Sequence, residues 1–307
     1  MPRLSDVPVE VVVNAEIAPG YFCLRLRGPS ALGRFRPGQF LMLGWADGLD
    51  PFLPRAMSIR GVRPATPDGG RGTARPFDRA QGSREALRPL GNARDRLSSG
   101  QAEVEILYKV YGRGTALWAA MRPGRRLRAL GPLGNAFEIP RSATKLLMVA
   151  GGIGVPPIVA LAEALAGRRP PRDLEVTVFL GGKSKPDLLC IADFRRAGAA
   201  VHLATEDGSV GFKGFVTELL EENLRRSSAS PGAVLYACGP VPMLASLASI
   251  AEKHDLPYQA SLEANMGCGF GACMGCAVPV VGGEGHQSYR LVCKNGPVFD
   301  GRQILWT

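Results

Sequence analysis

The stretch Lys145-Leu146-Leu147-Met148-Val149-Ala150-Gly151-Gly152-Ile153-Gly154-Val155-Pro156-Pro157 changes character twice in a short span. Its first half is an unbroken apolar run, the mark of a strand covered on both faces. Glycines then make a turn at 151–154. From Val155 the pattern to Ala166 is helical, with Pro156 and Pro157 near the first turn, where a missing N–H costs little. Further strands are expected at 174–180, 200–205 and 233–237, so the second half of the chain reads as an α/β nucleotide-binding unit with a parallel sheet. In such a unit Gly151, Gly152 and Gly154 let backbone approach a pyrophosphate, and the helix directs free N–H groups and its positive dipole end at the anion. The turn is not GxGxxG, and a glycine turn between strand and helix is often only a turn. At the carboxyl end of a later strand stands Tyr236-Ala237-Cys238-Gly239-Pro240, where sheets of this kind bind ligands. Cys238 reads equally well as a small buried hydrophobe.

Upstream the rhythm is short strands and turns. Segments 10–17, 21–27, 39–45, 56–60, 103–110 and 125–129 are β-rich, punctuated by Pro19-Gly20, Pro37-Gly38 and Pro123-Gly124. An antiparallel barrel is the natural closure. Within it, Arg55 and Ser58 form an RxxS element, and Gly112-Arg113-Gly114-Thr115 offers open backbone amides beside a hydroxyl. Each is also compatible with a plain strand edge and turn. Between them, residues 61–100 hold eight arginines against four acids and little large apolar content, which marks a disordered or loosely ordered insertion at 62–100. Much of the net charge of +10 resides there, and Phe77 is its one aromatic residue. A nucleic-acid surface is therefore not expected.

Downstream four cysteines crowd the end of the chain: Cys268, Cys273, Cys276 and Cys293. CxxxxCxxC with a distant fourth cysteine is the plant-type ligand order for a [2Fe-2S] cluster, and the glycines at 267, 269, 271 and 275 let amides turn toward sulfur. A four-thiolate structural zinc site is the rival. Cys23, Cys190 and Cys238 are scattered and the total of seven is odd, so no disulfide framework is expected. With no signal-like N-terminus and no long apolar run, a reduced, soluble, cytoplasmic protein is expected.

The order of these pieces carries a resemblance. RxxS, GxGT, Gly131-Pro132-Leu133-Gly134, GGIGVPP, Cys238-Gly239-Pro240 and the four cysteines are joined by Thr205-Glu206-Asp207-Gly208-Ser209-Val210-Gly211-Phe212-Lys213-Gly214 and by Tyr289-Arg290-Leu291-Val292-Cys293-Lys294-Asn295-Gly296-Pro297-Val298-Phe299. Together they resemble the ferredoxin reductase-like electron-transfer subunits of NAD-dependent dihydroorotate dehydrogenases, over nearly the whole chain except 61–100. The resemblance implies an FAD-binding barrel at 1–139, an NAD-binding α/β domain at 140–258 and a [2Fe-2S] domain at 259–307. It places Arg55 near the FAD phosphates, Ser58 near the isoalloxazine, and Gly112, Gly114 and Thr115 over the pyrophosphate. Gly151, Gly152 and Gly154 would face NAD, Cys238 and Gly239 the nicotinamide, and Cys268, Cys273, Cys276 and Cys293 the cluster. Met57 stands where the wider family often has an aromatic residue.

Nicotinamide exchanges two electrons as hydride and an iron–sulfur cluster one, so a flavin is needed between them. The three histidines, His202, His254 and His286, sit in no catalytic motif. No catalytic residue is therefore assigned, and dihydroorotate chemistry, a step of pyrimidine biosynthesis, is expected on a separate FMN-containing subunit, in a heterotetramer. Two other readings stay open. One is the small subunit of an NAD(P)H-dependent ferredoxin or sulfide oxidoreductase, for which Lys183 and Lys185 would attract a 2′-phosphate. The other is a zinc-stabilised nucleotide-sensing module.

Overall fold

A computed structural model describes residues 5–46, 53–64, 100–166, 174–227, 231–283 and 286–306. Six strands, β1 (Ser5–Ala18), β2 (Tyr21–Pro29), β3 (Phe40–Trp45), β4 (Arg55–Pro64), β5 (Gln101–Lys109) and β6 (Arg126–Leu133), close an antiparallel barrel in the order β1-β2-β5-β4-β3-β6. The alternation in Arg126-Leu127-Arg128-Ala129 shows why: the arginines are exposed while Leu127 and Ala129 are buried inside, as a two-residue period demands. Of the expected 62–100 insertion, Val62, Arg63 and Pro64 complete β4 and Gly100 leads into β5, with Pro64 in register with Ala102. Residues 65–99 lie outside the described residues.

Between β5 and β6 runs a helix, α1 (Gly112–Ala119), where the sequence suggested only a turn. Gly112 leaves the strand at φ +70, a conformation that favours glycine. The helix then carries Trp118 into the barrel end, where it is fully buried with its ring edge-on to Tyr108 at 5.9 Å. Such an aromatic plug buries enough surface to hold a short helix of modest propensity.

The nucleotide-binding half is a doubly wound sheet. Its strands are β7 (Lys145–Gly151), β8 (Glu175–Gly182), β9 (Ala200–Thr205), β10 (Phe212–Lys213), β11 (Ala233–Cys238), β12 (Tyr258–Ser261) and, later in the chain, β15 (Val298–Asp300). They are ordered β10-β9-β8-β7-β11-β12-β15, all parallel except β15. Helices α2 (Val155–Ala166) and α3 (Ile191–Arg196) cover one face, and α4 (Val216–Ser227) and α5 (Val241–Lys253) the other. Leu146, Leu147, Met148, Val149 and Ala150 are all inaccessible, which is why this central strand reads as a continuous apolar run.

Between β12 and β15 the chain forms a small lobe. It consists of the cysteine loop, the hairpin of β13 (Ala277–Val281) and β14 (Gln287–Leu291), and the short helix α6 (Val292–Asn295). The lobe thus leaves the parallel sheet at Ser261 and returns to it at Val298. It also packs on the end of the barrel: a Cβ at Gly134 would lie 2.5 Å from Cδ of Pro297, and Asn135 Nδ2 donates to Val298 O at 2.8 Å. Two sequence stretches far apart in the chain therefore meet as one seam.

Candidate functional site

Strand order reverses at β7, with β8 and β9 on one side and β11 and β12 on the other. In open α/β sheets the crevice at such a reversal, beyond the carboxyl ends of the strands, is where ligands bind. Here it is framed by the two glycine motifs, because Ala150 is in register with Cys238. The glycines divide their work. A Cβ on Gly154 would collide with the carbonyl of Cys238, and one on Gly151 would lie 2.7 Å from Sδ of Met243, so these two permit close packing. Gly152, at φ +53 with nothing around its missing Cβ, is the one whose backbone stands open. Gly239 packs 3.1 Å from the Gly151 nitrogen by the same measure. The Cys238 side chain is buried, and burial, with a smaller push from Glu263, holds its thiol well above the usual range.

The barrel motifs also converge. Gly114 lies directly beneath the Arg55 guanidinium, and any Cβ there would occupy the same space. Arg55 is further steadied by donating Nη1 to Leu53 O. Thr115 turns its hydroxyl inward: Tyr111 N donates to its Oγ1 at 2.6 Å, and it returns a bond to Gly112 O at 3.3 Å. The threonine shapes the first turn of α1, leaving the backbone amides of that turn as anion donors.

A cleft of about 500 Å³ joins the three parts of the chain. Ser58, Met57, Lys109 and Thr115 line it from the barrel, Ile153 and Pro156 from the nucleotide-binding half, and Glu263, Ala264, Asn265 and Met266 from the segment leading into the cysteines. That last segment was not singled out from sequence, and its only signal was its place just before Cys268. At the cleft edge, Lys109 Nζ donates to Tyr21 OH at 2.9 Å and Tyr21 OH donates to Asp187 Oδ1 at 2.6 Å, tying barrel to sheet. The Asp187 carboxyl is held below its ordinary value. Burial opposes this, but the bonds from Tyr21 and Ser184 and the charge of Lys109 outweigh it.

The four cysteines stand as two pairs. Cys276 and Cys293 are buried, with their sulfurs 3.3 Å apart, close to the roughly 3.7 Å that two thiolates on one tetrahedral metal need at about 2.3 Å per bond. Cys268 and exposed Cys273 form the other pair, the Cys273 amide reaching Cys268 Sγ at 3.5 Å and the Ala272 amide at 3.3 Å. Burial alone would raise the Cys268 thiol, yet amides from Cys273, Phe270 and Ala272 bring it down to about 6. Gly269 at φ +83 and Gly271 at φ +92 aim those amides. Among the described residues no three His, Cys, Asp or Glu side chains converge on one point. Two thiol pairs suit a two-iron centre, whose irons each take two protein sulfurs.

A closed antiparallel barrel, a doubly wound sheet and a paired-cysteine lobe around one cleft define a ferredoxin reductase-like oxidoreductase. Residues 148–249 match the oxidoreductase NAD-binding domain, and residues 263–305 match the iron-sulfur cluster binding domain of dihydroorotate dehydrogenase B. The fold aligns with the NADH-dependent reduced ferredoxin-NADP oxidoreductase structure at TM-score 0.73 and 24% identity, covering 97% of this chain and 90% of that one. It also aligns with the cytochrome b5 reductase domain of Ulva prolifera nitrate reductase at TM-score 0.60 and 15% identity, covering 83% and 95%. The dihydroorotate dehydrogenase B (NAD(+)) electron transfer subunit of Desulforamulus reducens is 33% identical over the full length of both chains. That of Geobacillus thermodenitrificans is 34% identical over 96% of each. The chain belongs to the family of dihydroorotate dehydrogenase B electron transfer subunits.

Proposed function

We propose that this chain is the electron-transfer subunit of an NAD-dependent dihydroorotate dehydrogenase of pyrimidine biosynthesis, working beside a separate FMN-containing subunit in a heterotetramer. One observation carries the reading: barrel, nucleotide turn and cysteine lobe all border a single cleft. When bound, FAD, NAD and a [2Fe-2S] cluster supply the exchange between hydride and single-electron transfer. The chain's own groups fit them. Arg55 over Gly114 and the first turn of α1 offer a cation and amides to the FAD pyrophosphate, with Gly112 and Thr115 shaping that turn and Ser58 on the cleft wall beside the flavin. Met57 lines the same wall, giving a thioether contact in place of an aromatic stack. Gly152 presents backbone to the NAD pyrophosphate, while Gly151, Gly154, Cys238 and Gly239 bring two strand ends together beneath the nicotinamide.

Cys268, Cys273, Cys276 and Cys293 hold the cluster. Its inner pair is buried, and its outer pair lies beside Phe270 and Met274, which are 51% and 60% exposed. That apolar rim next to exposed Cys273 is the surface offered to the FMN-containing chain. The functional units are 1–139, 140–258 and 259–307, the last returning β15 to the sheet. No helix among the described residues is long and apolar enough to cross a membrane, and all seven cysteines are free thiols, which suits a reducing cytoplasm.

The test is reconstitution. Alone, the protein should oxidise NADH with an artificial acceptor and leave dihydroorotate untouched. With the FMN-containing subunit added, dihydroorotate oxidation should reduce NAD, and Cys276→Ser should break that coupling while sparing NADH oxidation by a dye that takes electrons from FAD. Coupling at the wild-type rate without the cluster would overturn the route.

A further inference from the structure

The barrel and the nucleotide-binding half share one covalent connection, between Leu133 and Lys145, so their relative placement is set by the seam between them. Within that seam is a buried arginine. Arg60 on β4 is 5% exposed, and its guanidinium reaches three carboxylates on three different elements. Nε is 3.1 Å from Glu105 of β5, and Nη2 is 3.1 Å from Glu163 of α2 and 2.8 Å from Asp193 of α3. Glu105 belongs to the barrel, whereas Glu163 and Asp193 belong to the helices that cover the sheet. The planar fork of a guanidinium meets such an arrangement in one orientation only, whereas an apolar seam can slide.

What the clamp holds is the geometry of the cleft. Arg60 lies two residues beyond Ser58 on the same strand, and Glu163 lies on the same helix as Pro156. Ser58 and Pro156 both line the cleft, one from the barrel and the other from the nucleotide-binding half. We propose that Arg60 is a positioning residue for hydride transfer: its fork onto Glu163 and Asp193 fixes the first turn of α2, and with it the nicotinamide, against the flavin face of β4. The inference rests on FAD lying on the barrel and NAD lying at the glycine turn. It assigns Arg60 no contact with either. The Tyr21–Asp187–Lys109 tie leaves the two halves joined when Arg60 is replaced, and within the barrel Arg25 at 3.7 Å and Arg63 at 3.4 Å keep Glu105 paired.

The experiment uses the full chain loaded with FAD and cluster, comparing wild type with Arg60→Met, Arg60→Lys and the double variant Glu163→Gln/Asp193→Asn. The double variant leaves Arg60 paired with Glu105 and remains decisive if Arg60→Met does not fold. Anaerobic flavin bleaching by saturating NADH should slow at least about tenfold per bound flavin in Arg60→Met and in the double variant, as misplacement on the ångström scale does. The apparent Kd for NADH should stay within about twofold of wild type, because the glycine turn is intact, and Arg60→Lys should recover part of the rate. Independently of activity, amide hydrogen exchange should accelerate along α2 and α3 and not in β7 or β11. Wild-type bleaching rates in both variants, with only a lowered Tm, would overturn the positioning role and leave the functional reading intact. A wild-type protein that binds FAD and NADH but shows no bleaching would overturn both.

Discussion

The sulfurs of Cys276 and Cys293 lie 3.3 Å apart, although one cysteine opens the β13–β14 hairpin and the other follows it. The hairpin register, with Ala277 opposite Leu291, forces the approach, and Val292 N donates to Cys276 O at 3.0 Å to hold it. Cys276→Ser should therefore abolish or severely deplete cluster iron and acid-labile sulfide while leaving FAD content near wild type, since an oxygen ligand replaces thiolate poorly and the flavin motifs lie on the barrel. Cys293→Ser should behave alike. Unchanged iron and sulfide in either variant would refute the pairing.

Gly114→Ala drives a methyl group into the Arg55 guanidinium. The arginine must swing away, and with it the cation proposed to meet the FAD phosphates, so FAD should bind about tenfold more weakly or worse. Gly112→Ala meets no neighbour and pays only for φ +70, about 1 kcal/mol or more of stability. Flavin fluorescence on titrating the apoprotein separates the two. Equal FAD affinity in the two variants would refute the role given to Arg55.

Pro64 and Ala102 are paired across β4 and β5, so the ends of the arginine-rich segment are held together whatever lies between them. Replacing 65–99 with a short Gly-Ser bridge should keep folding and FAD content near wild type, each halving of a closed loop being worth only about 0.6 kcal/mol. Loss of FAD on deletion would instead give the arginines a part in binding it.

Asp187 titrates below its ordinary 3.8 in the folded protein. A depressed carboxyl stabilises the fold above its unfolded value and loses that stabilisation as pH falls through its folded value, so this contribution disappears on acidification below about pH 4. Asp187→Asn should be less stable than wild type at pH 7, and the gap should narrow as the buffer is taken from pH 4 toward pH 2. Thermal melts across that range measure it. A gap independent of pH would assign the effect to packing at Tyr21.

Much of this arrangement was legible in the chain itself. A fully apolar strand running into a glycine turn, alternating segments broken by Pro-Gly pairs, and three cysteines on one glycine-rich loop are local patterns, set by period and backbone freedom over a few neighbouring residues. The six barrel strands, β7, β8, β9 and β11 of the sheet, helix α2 and the cysteine spacing could be read for that reason, whereas the short strands β10, β12 and β15 could not, nor could α1, whose stability comes from Trp118 filling the barrel rather than from its own eight residues. Only the tertiary structure decided which motifs meet. Barrel closure sets Arg55 over Gly114, strand order sets Gly154 against Cys238, and the returning lobe sets Pro297 against Gly134. The same closure buries Arg60 among Glu105, Glu163 and Asp193, carboxylates separated in sequence by long stretches of chain. A charge surrounded in this way looks in sequence like any other surface arginine, because what makes it special is the removal of water by elements that approach only after the chain has folded.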